Sequence, residues 1–260
     1  RYLHDNYQSG SPSTRNNTRM TANTTRLDRF IRQHTAFAMS DTRLLLAQGR
    51  ILVDGELAQS INQRIDRFSR VEVDGLCLQA DSPLYIALNK PKGVVSATKD
   101  DAHRTVIDVL DHPRKAELHF VGRLDFNTTG LVLLSNDGGW SRRISLPETK
   151  LAKVYWVEVA TPLSQDYIDA FQRGVYFSYE GITTQPAQLQ ILSATTARLT
   201  LTEGKYHQVK RMFGAFDNEV LALHRESVGP VALADLALGE SRLLSSEELA
   251  AIARYTAPPT

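Results

Sequence analysis

Cysteine is almost absent. Cys77 is the only one in 260 residues, which excludes an intrachain disulfide and makes a reducing cytoplasm the expected compartment. Long apolar runs are missing as well. Stretches such as Leu131 to Leu134 fall far short of the roughly 20 residues a membrane helix needs. No charged-then-apolar leader opens the chain, so a soluble protein without a membrane partner is expected. Neither sign of charge dominates, since 30 Lys and Arg face 29 Asp and Glu for a formal net charge of +1, and composition alone does not point to nucleic acid. Seven histidines lack ligand-like spacing, and no metal is predicted. No GxGxxG or P-loop pattern occurs, which argues against doubly wound nucleotide-binding folds. No Ser or Cys sits in a nucleophile-elbow context.

What is there suffices for two packed domains: 42% of the residues are hydrophobic and the length exceeds one typical domain. Residues 1–24, rich in Asn, Ser, Thr and Arg, read as a disordered tail, with Met20 a candidate start and residues 1–19 an upstream extension. From Thr25, Leu27, Phe30 and Ile31 share one helical face. Ser40 is placed to cap a second helix through Leu44, Leu45 and Leu46 that ends at Gly49. Asp54-Gly55 and Asp74-Gly75 each lie between short β-prone runs and suit two-residue hairpin turns. A linker at 80–83 closes on Pro83.

The second domain, 84–257, begins with a strand from Tyr85 and a turn, Asn89-Lys90-Pro91-Lys92-Gly93, whose lysines are solvated or touch phosphate. A helix is expected from Thr105 through Leu110, then strands at 118–121 and 131–134. A helix over 139–144 leaves Arg142 and Arg143 exposed. A strand follows at 153–160 and a helix at 164–173 stopped by Gly174, then strands at 188–192, 197–201 and 220–223 and a final helix to about Tyr255. In the helix His207 to Phe216, Val209, Met212, Phe213 and Phe216 form the apolar side, which turns Gln208, Lys210 and Arg211 outward. Strands dominate with helices interspersed, and the class is α+β.

The chain is organised around His119 to Gly138, where one apolar strand runs into a polar loop and a second leaves it for an Asn-Asp-Gly turn. Asp125 is thereby presented between two buried strands. An isolated Arg-Leu-Asp triplet is more often an ordinary turn, but this one lies in Gly-Arg-Leu-Asp-x-x-Thr-x-Gly-Leu followed by Asn136-Asp137-Gly138. That block resembles the catalytic motif of the RsuA-type RNA pseudouridine synthases. Lys153-Val154-Tyr155 and Glu203-Gly204-Lys205-Tyr206-His207-Gln208-Val209-Lys210-Arg211-Met212 agree in order and spacing. The two-helix, two-hairpin segment at 25–79 is similar to an S4 RNA-binding domain, and the resemblance spans roughly Arg26 to Tyr255. The segments around Tyr206 to Phe213 and Leu223-His224-Arg225-Glu226 are most similar to family members that act on small-subunit ribosomal RNA.

The resemblance implies a small S4-like domain followed by a catalytic domain with a mixed, largely antiparallel sheet and a central cleft. The implied activity is isomerisation of a uridine in small-subunit ribosomal RNA, free or in an assembly intermediate, by a monomer that needs no cofactor. Asp125 is the implied catalytic carboxylate and Tyr155 the aromatic surface for the base. Lys210 leads, and Arg211 follows, as the cation that keeps Asp125 ionised. Arg123, Arg211, Lys205, His207, Arg43 and Arg50 are the expected RNA contacts. Two alternatives stay open at this level: a non-catalytic RNA-binding assembly factor, and a synthase for a large-subunit uridine. A His-Asp or metal site from His119, His207 and His224 is disfavoured because they fall on different elements.

Overall fold

The computed structural model describes residues 24–256, which form two compact units divided after Ala80. Apart from Thr24, the expected tail, with Met20, lies outside the described residues.

In the first unit, helix Leu27–His34 forms because Leu27, Phe30 and Ile31 recur on one face, and all three are buried. The next helix, Met39–Ala47, starts before the expected cap at Ser40. Ala38 is the cap, and the Asp41 carboxylate accepts its N–H at 2.8 Å. Of the three leucines only Leu45 is fully buried, and Leu44 faces out. Both Asp-Gly turns are hairpins, pairing Ile51–Val53 with Glu56–Leu57 and Val71–Val73 with Leu76–Gln79. All four turn residues have positive φ, as a type I′ turn requires. The inner strands pair antiparallel to give a four-stranded sheet.

The second unit is built on one mixed sheet. Its strands run in the order Gln188–Ile191, Thr196–Leu201, Lys153–Val159, Val220–Val228, Thr129–Ser135, Tyr85–Lys90, Ser241–Leu243. His119–Val121 and Val231–Ala232 are added at the side. Every pairing is antiparallel except Thr129–Ser135 against Val220–Val228. The sheet is covered on both faces, which explains why Leu131 to Leu134 is a continuous apolar run instead of an alternating one. Val132 and Leu134 join Tyr155, Val157 and Leu199 under helices Gln165–Arg173 and Gln208–Gly214. Leu131 and Leu133 face helices Gly138–Ser145 and Ser246–Thr256 through Trp140, Ile144 and Ile252. Strand Val220–Val228 is longer than the expected four residues, because its pairing with Lys153–Val159 continues to Val228 and its last two residues also pair with Val231–Ala232. A small hairpin, Tyr176–Phe177 with Ile182–Thr183, carries two residues per strand and leaves no periodic signal.

The parallel pairing places Gly130 opposite Arg225. Gly130 has φ 112°, and a Cβ there would lie 2.2 Å from the Arg225 carbonyl oxygen. Only glycine allows the two backbones to approach so closely. Gly130→Ala should therefore cost about 2 kcal/mol or more and lower Tm by roughly 4–8 °C. Gly138→Ala, in a helical position with nothing within 4 Å, should be neutral or slightly stabilising. Equal melting of the two variants would contradict this account of the crossing.

Candidate active site

The loop between strands His119–Val121 and Thr129–Ser135 is fixed by its backbone at almost every residue. Buried Arg225 donates from Nε to the Leu131 carbonyl at 2.8 Å, and its terminal nitrogens reach the carbonyls of Arg123 and Gly122 at 3.5 Å. The Ser96 hydroxyl donates to the Leu124 carbonyl at 2.7 Å and accepts the Leu124 N–H at 3.0 Å. Gly93 N–H donates to the Phe126 carbonyl at 2.9 Å, and Thr128 N–H to the Asp125 carbonyl at 3.0 Å. Leu124 is sunk in the core. The Asp125 side chain is left half-exposed on this frame.

Two basic side chains converge on its carboxylate. His207 Nε2 lies 3.3 Å from Oδ1, and Lys210 Nζ lies 3.7 Å from Oδ2. Lys210 thus takes the place expected of it. The contact from His207, expected only to meet RNA, depends on its left-handed backbone (φ 47°, ψ 35°) as the residue that enters helix Gln208–Gly214, a conformation rare outside glycine and worth noting at a site. The segment before that helix is stitched by Gln208, which is buried, against the outward orientation expected for it. Its Oε1 accepts the Lys205 N–H at 2.9 Å and its Nε2 donates to Glu203 at 2.9 Å.

A third basic side chain lies beneath the loop. Lys90 is completely buried, so neither expectation for it, phosphate contact or a solvated turn, holds. Its ammonium donates to the carbonyls of Val94, Pro91 and Phe126 at 2.8, 3.1 and 3.4 Å. Burial pulls its pKa from 10.5 down to about 8, and the Asp125 carboxylate partly opposes the shift.

A carboxylate on a pinned loop among Lys and His side chains suits attack on, or proton transfer from, a bound sugar. A family model described as RNA pseudouridylate synthase matches residues 84–215. The ribosomal small subunit pseudouridine synthase A of Pseudomonas aeruginosa is 48% identical over 229 residues, 87% of this chain and 100% of the relative. That of Escherichia coli K12 is 43% identical, over 87% of this chain and 99% of the relative. A crystal structure of a pseudouridylate synthase superposes with a TM-score of 0.63 at 37% identity, covering 87% of this chain and 99% of the other. The chain belongs to the RNA pseudouridylate synthase family.

In this synthase the remaining expected residues have separate placements. Tyr155 sits in strand Lys153–Val159, buried in the same core cluster as Leu124 and Val209. Lys153, which opens that strand, is held below its usual pKa by burial and by the Arg225 guanidinium, with Glu203 opposing. Arg123 is exposed, with no side-chain partner among the described residues. Arg211, second choice for Asp125, turns away to a bidentate pair with Glu180 at 2.5 and 2.8 Å, its guanidinium 3.8 Å from the Phe177 ring centre. Lys205 pairs with Glu203 at 3.3 Å. His119 and His224 go to Ser141 and Thr129, far from forming a shared ligand set with His207. In the first unit Arg43 is exposed, whereas Arg50 is held bidentately by Asp74. Sequence reasoning missed Lys90 and Arg225 as loop supports. The only signal was their membership of the Asn-Lys-Pro and His-Arg-Glu blocks.

The synthase should show the Lys90 shift directly. Between about pH 8 and 10.5 the unfolded chain holds a proton that the folded chain has released, so this group's contribution to stability rises with pH across that window and its burial penalty is complete below it. NMR titration of the Lys90 ε-methylene should give a midpoint near 8, and Asp125→Asn should lower it further by removing the opposing charge. A midpoint above 10, or one unmoved by the substitution, would contradict the placement.

Proposed function

We propose that this chain converts a uridine of small-subunit ribosomal RNA to pseudouridine, with Asp125 as the reacting carboxylate. The observation that carries the reading is the Asp125 carboxylate itself, half-exposed on a loop fixed by Arg225, Ser96 and Lys90 and flanked by His207 and Lys210. The small-subunit substrate is supported by what the Pseudomonas and Escherichia relatives are named for.

The reaction breaks the bond from uracil N1 to C1′, turns the base, and joins C5 to C1′, with the C5 proton lost to solvent and N1 gaining one. Atoms and electrons balance without an oxidant or reductant. A stacked uridine cannot reach Asp125, so the nucleotide is flipped toward the loop at a cost of about a few kcal/mol. Arg123 fills or braces the vacated position, and Tyr155 supports the freed base by its ring. Lys210 and His207, 3.7 and 3.3 Å from its oxygens, hold the Asp125 carboxylate in place. The N-terminal unit acts as an S4-like RNA grip through Arg43 and, when released from Asp74, Arg50. Lys205, when released from Glu203, adds positive potential beside the site, while Arg211 stays with Glu180. The protein works as a cytoplasmic monomer.

Small-subunit and large-subunit RNA, each tritiated at uridine C5, separate the readings. The account expects stoichiometric tritium release from the small-subunit transcript or its assembling particle and none from the large. Binding without release would make the chain an RNA-binding assembly factor, and release confined to the large-subunit RNA would move the substrate.

A further inference from the structure

The residue before His207 has no role in the chemistry above, yet its placement is specific. Tyr206 is 74% exposed, although a tyrosine ring left in water forfeits the burial that usually stabilises it. One face is occupied: the ring stacks on His207 with centroids 3.8 Å apart and planes 21° from parallel. His207 Nε2 also lies 3.3 Å from an Asp125 carboxylate oxygen. One histidine therefore touches both groups, Tyr206 through its ring face and Asp125 through Nε2, while the other face of Tyr206 is open.

The backbone under the Tyr206 ring is braced. Arg211 donates from Nη1 to the Tyr206 carbonyl at 3.3 Å while its guanidinium is clamped by Glu180 and lies over Phe177. The hairpin Tyr176–Thr183, which carries Glu180, and helix Gln208–Gly214 thus meet at the backbone of Tyr206. A freely solvated side chain would not need this fastening. The ring is presented, with its own rotation limited by the histidine beneath it.

We propose that the open face of Tyr206 receives a nucleobase of the RNA that neighbours the target uridine in space, making Tyr206 a substrate-positioning residue. A base at van der Waals spacing on the open face of Tyr206 would have the Tyr206 ring between it and His207, the residue that touches Asp125. That placement suits a flanking nucleotide and not the one being cut from its sugar. Stacking is tolerant of base identity and is worth about 1–3 kcal/mol per base, so Tyr206 would contribute affinity and register more than base selectivity. Lys210, beside Asp125, and exposed Arg123, two residues before it in the chain, are the phosphate partners offered to the strand so held. This inference rests on the proposal that the chain acts on RNA.

The test compares Tyr206→Ala, Tyr206→Leu, Tyr206→Phe and Tyr206→Trp with the parent. Each is measured for equilibrium binding to transcribed small-subunit RNA and for single-turnover tritium release at saturating enzyme. Ala and Leu should weaken binding about 5- to 150-fold, while Phe and Trp restore it to within about threefold. The rate at saturation should fall far less than the affinity in all four. Ala binding within about twofold of the parent, or Leu binding as well as Phe, would overturn the proposal, because apolar bulk and not an aromatic face would then suffice. A loss confined to the saturated rate would also overturn it, by placing Tyr206 in the chemistry. If the parent binds RNA but releases no tritium, the isomerase reading fails while the binding comparison still decides the role of Tyr206.

Discussion

The structure of the site depends on one buried guanidinium. Arg225 lies on the strand that crosses Gly130 in parallel, and its side chain reaches back to carbonyls on both limbs of the Asp125 loop. Burying a cation is expensive unless its donors find acceptors, and here the acceptors are the backbone carbonyls of the loop that must be held. The arrangement needs the two backbones in near contact, which is why position 130 is glycine. Lys90 repeats the device from another strand, spending its ammonium on the carbonyls of Val94, Pro91 and Phe126. Neutral Ser96 closes the gap at Leu124. Few degrees of freedom are left to the backbone around Asp125.

That rigidity matters for the electrostatics. Exposed ion pairs are each worth little, about 0.2–1 kcal/mol, so neither His207 at 3.3 Å nor Lys210 at 3.7 Å contributes much to folding. In the proposed reaction their value lies in being fixed in advance, since groups already oriented toward developing charge need no reorganisation. Both belong to the segment that Gln208 stitches to Glu203 and Lys205. A buried glutamine thus sets where a histidine and a lysine meet an aspartate.

Much of this was legible in the sequence where the signal was local. The Asp-Gly hairpins, the helical face of Leu27, Phe30 and Ile31, and the run Leu131 to Leu134 each carry their own period or turn chemistry. The proximity of Lys210 to Asp125 was expected from the resemblance to the family's motifs. Arg225, Lys90 and Gln208 were not read correctly, because polar residue types usually lie outside and only tertiary geometry supplies the carbonyls and carboxylate that satisfy them inside. The contact of His207 with Asp125 depends on a left-handed backbone at a residue that seldom adopts one. Arg211 was misdirected for a related reason: Glu180, its partner, sits 31 residues away on a hairpin too short to leave a pattern.

The central claim is that the frame exists to hold the Asp125 carboxylate for reaction, and Asp125→Asn tests it most directly. The amide keeps the size and most of the hydrogen bonding of the loop and removes only the charge. With enzyme in excess over C5-tritiated small-subunit RNA, release should drop at least 10²- to 10⁴-fold, the usual cost of losing such a group. The melt should stay close to the parent, since the side chain is half-exposed. RNA binding should be unchanged or tighter for want of one repelling charge. Release within about tenfold of the parent would remove Asp125 from the chemistry, and a variant that lost its fold or its RNA affinity instead would assign the whole loop to structure.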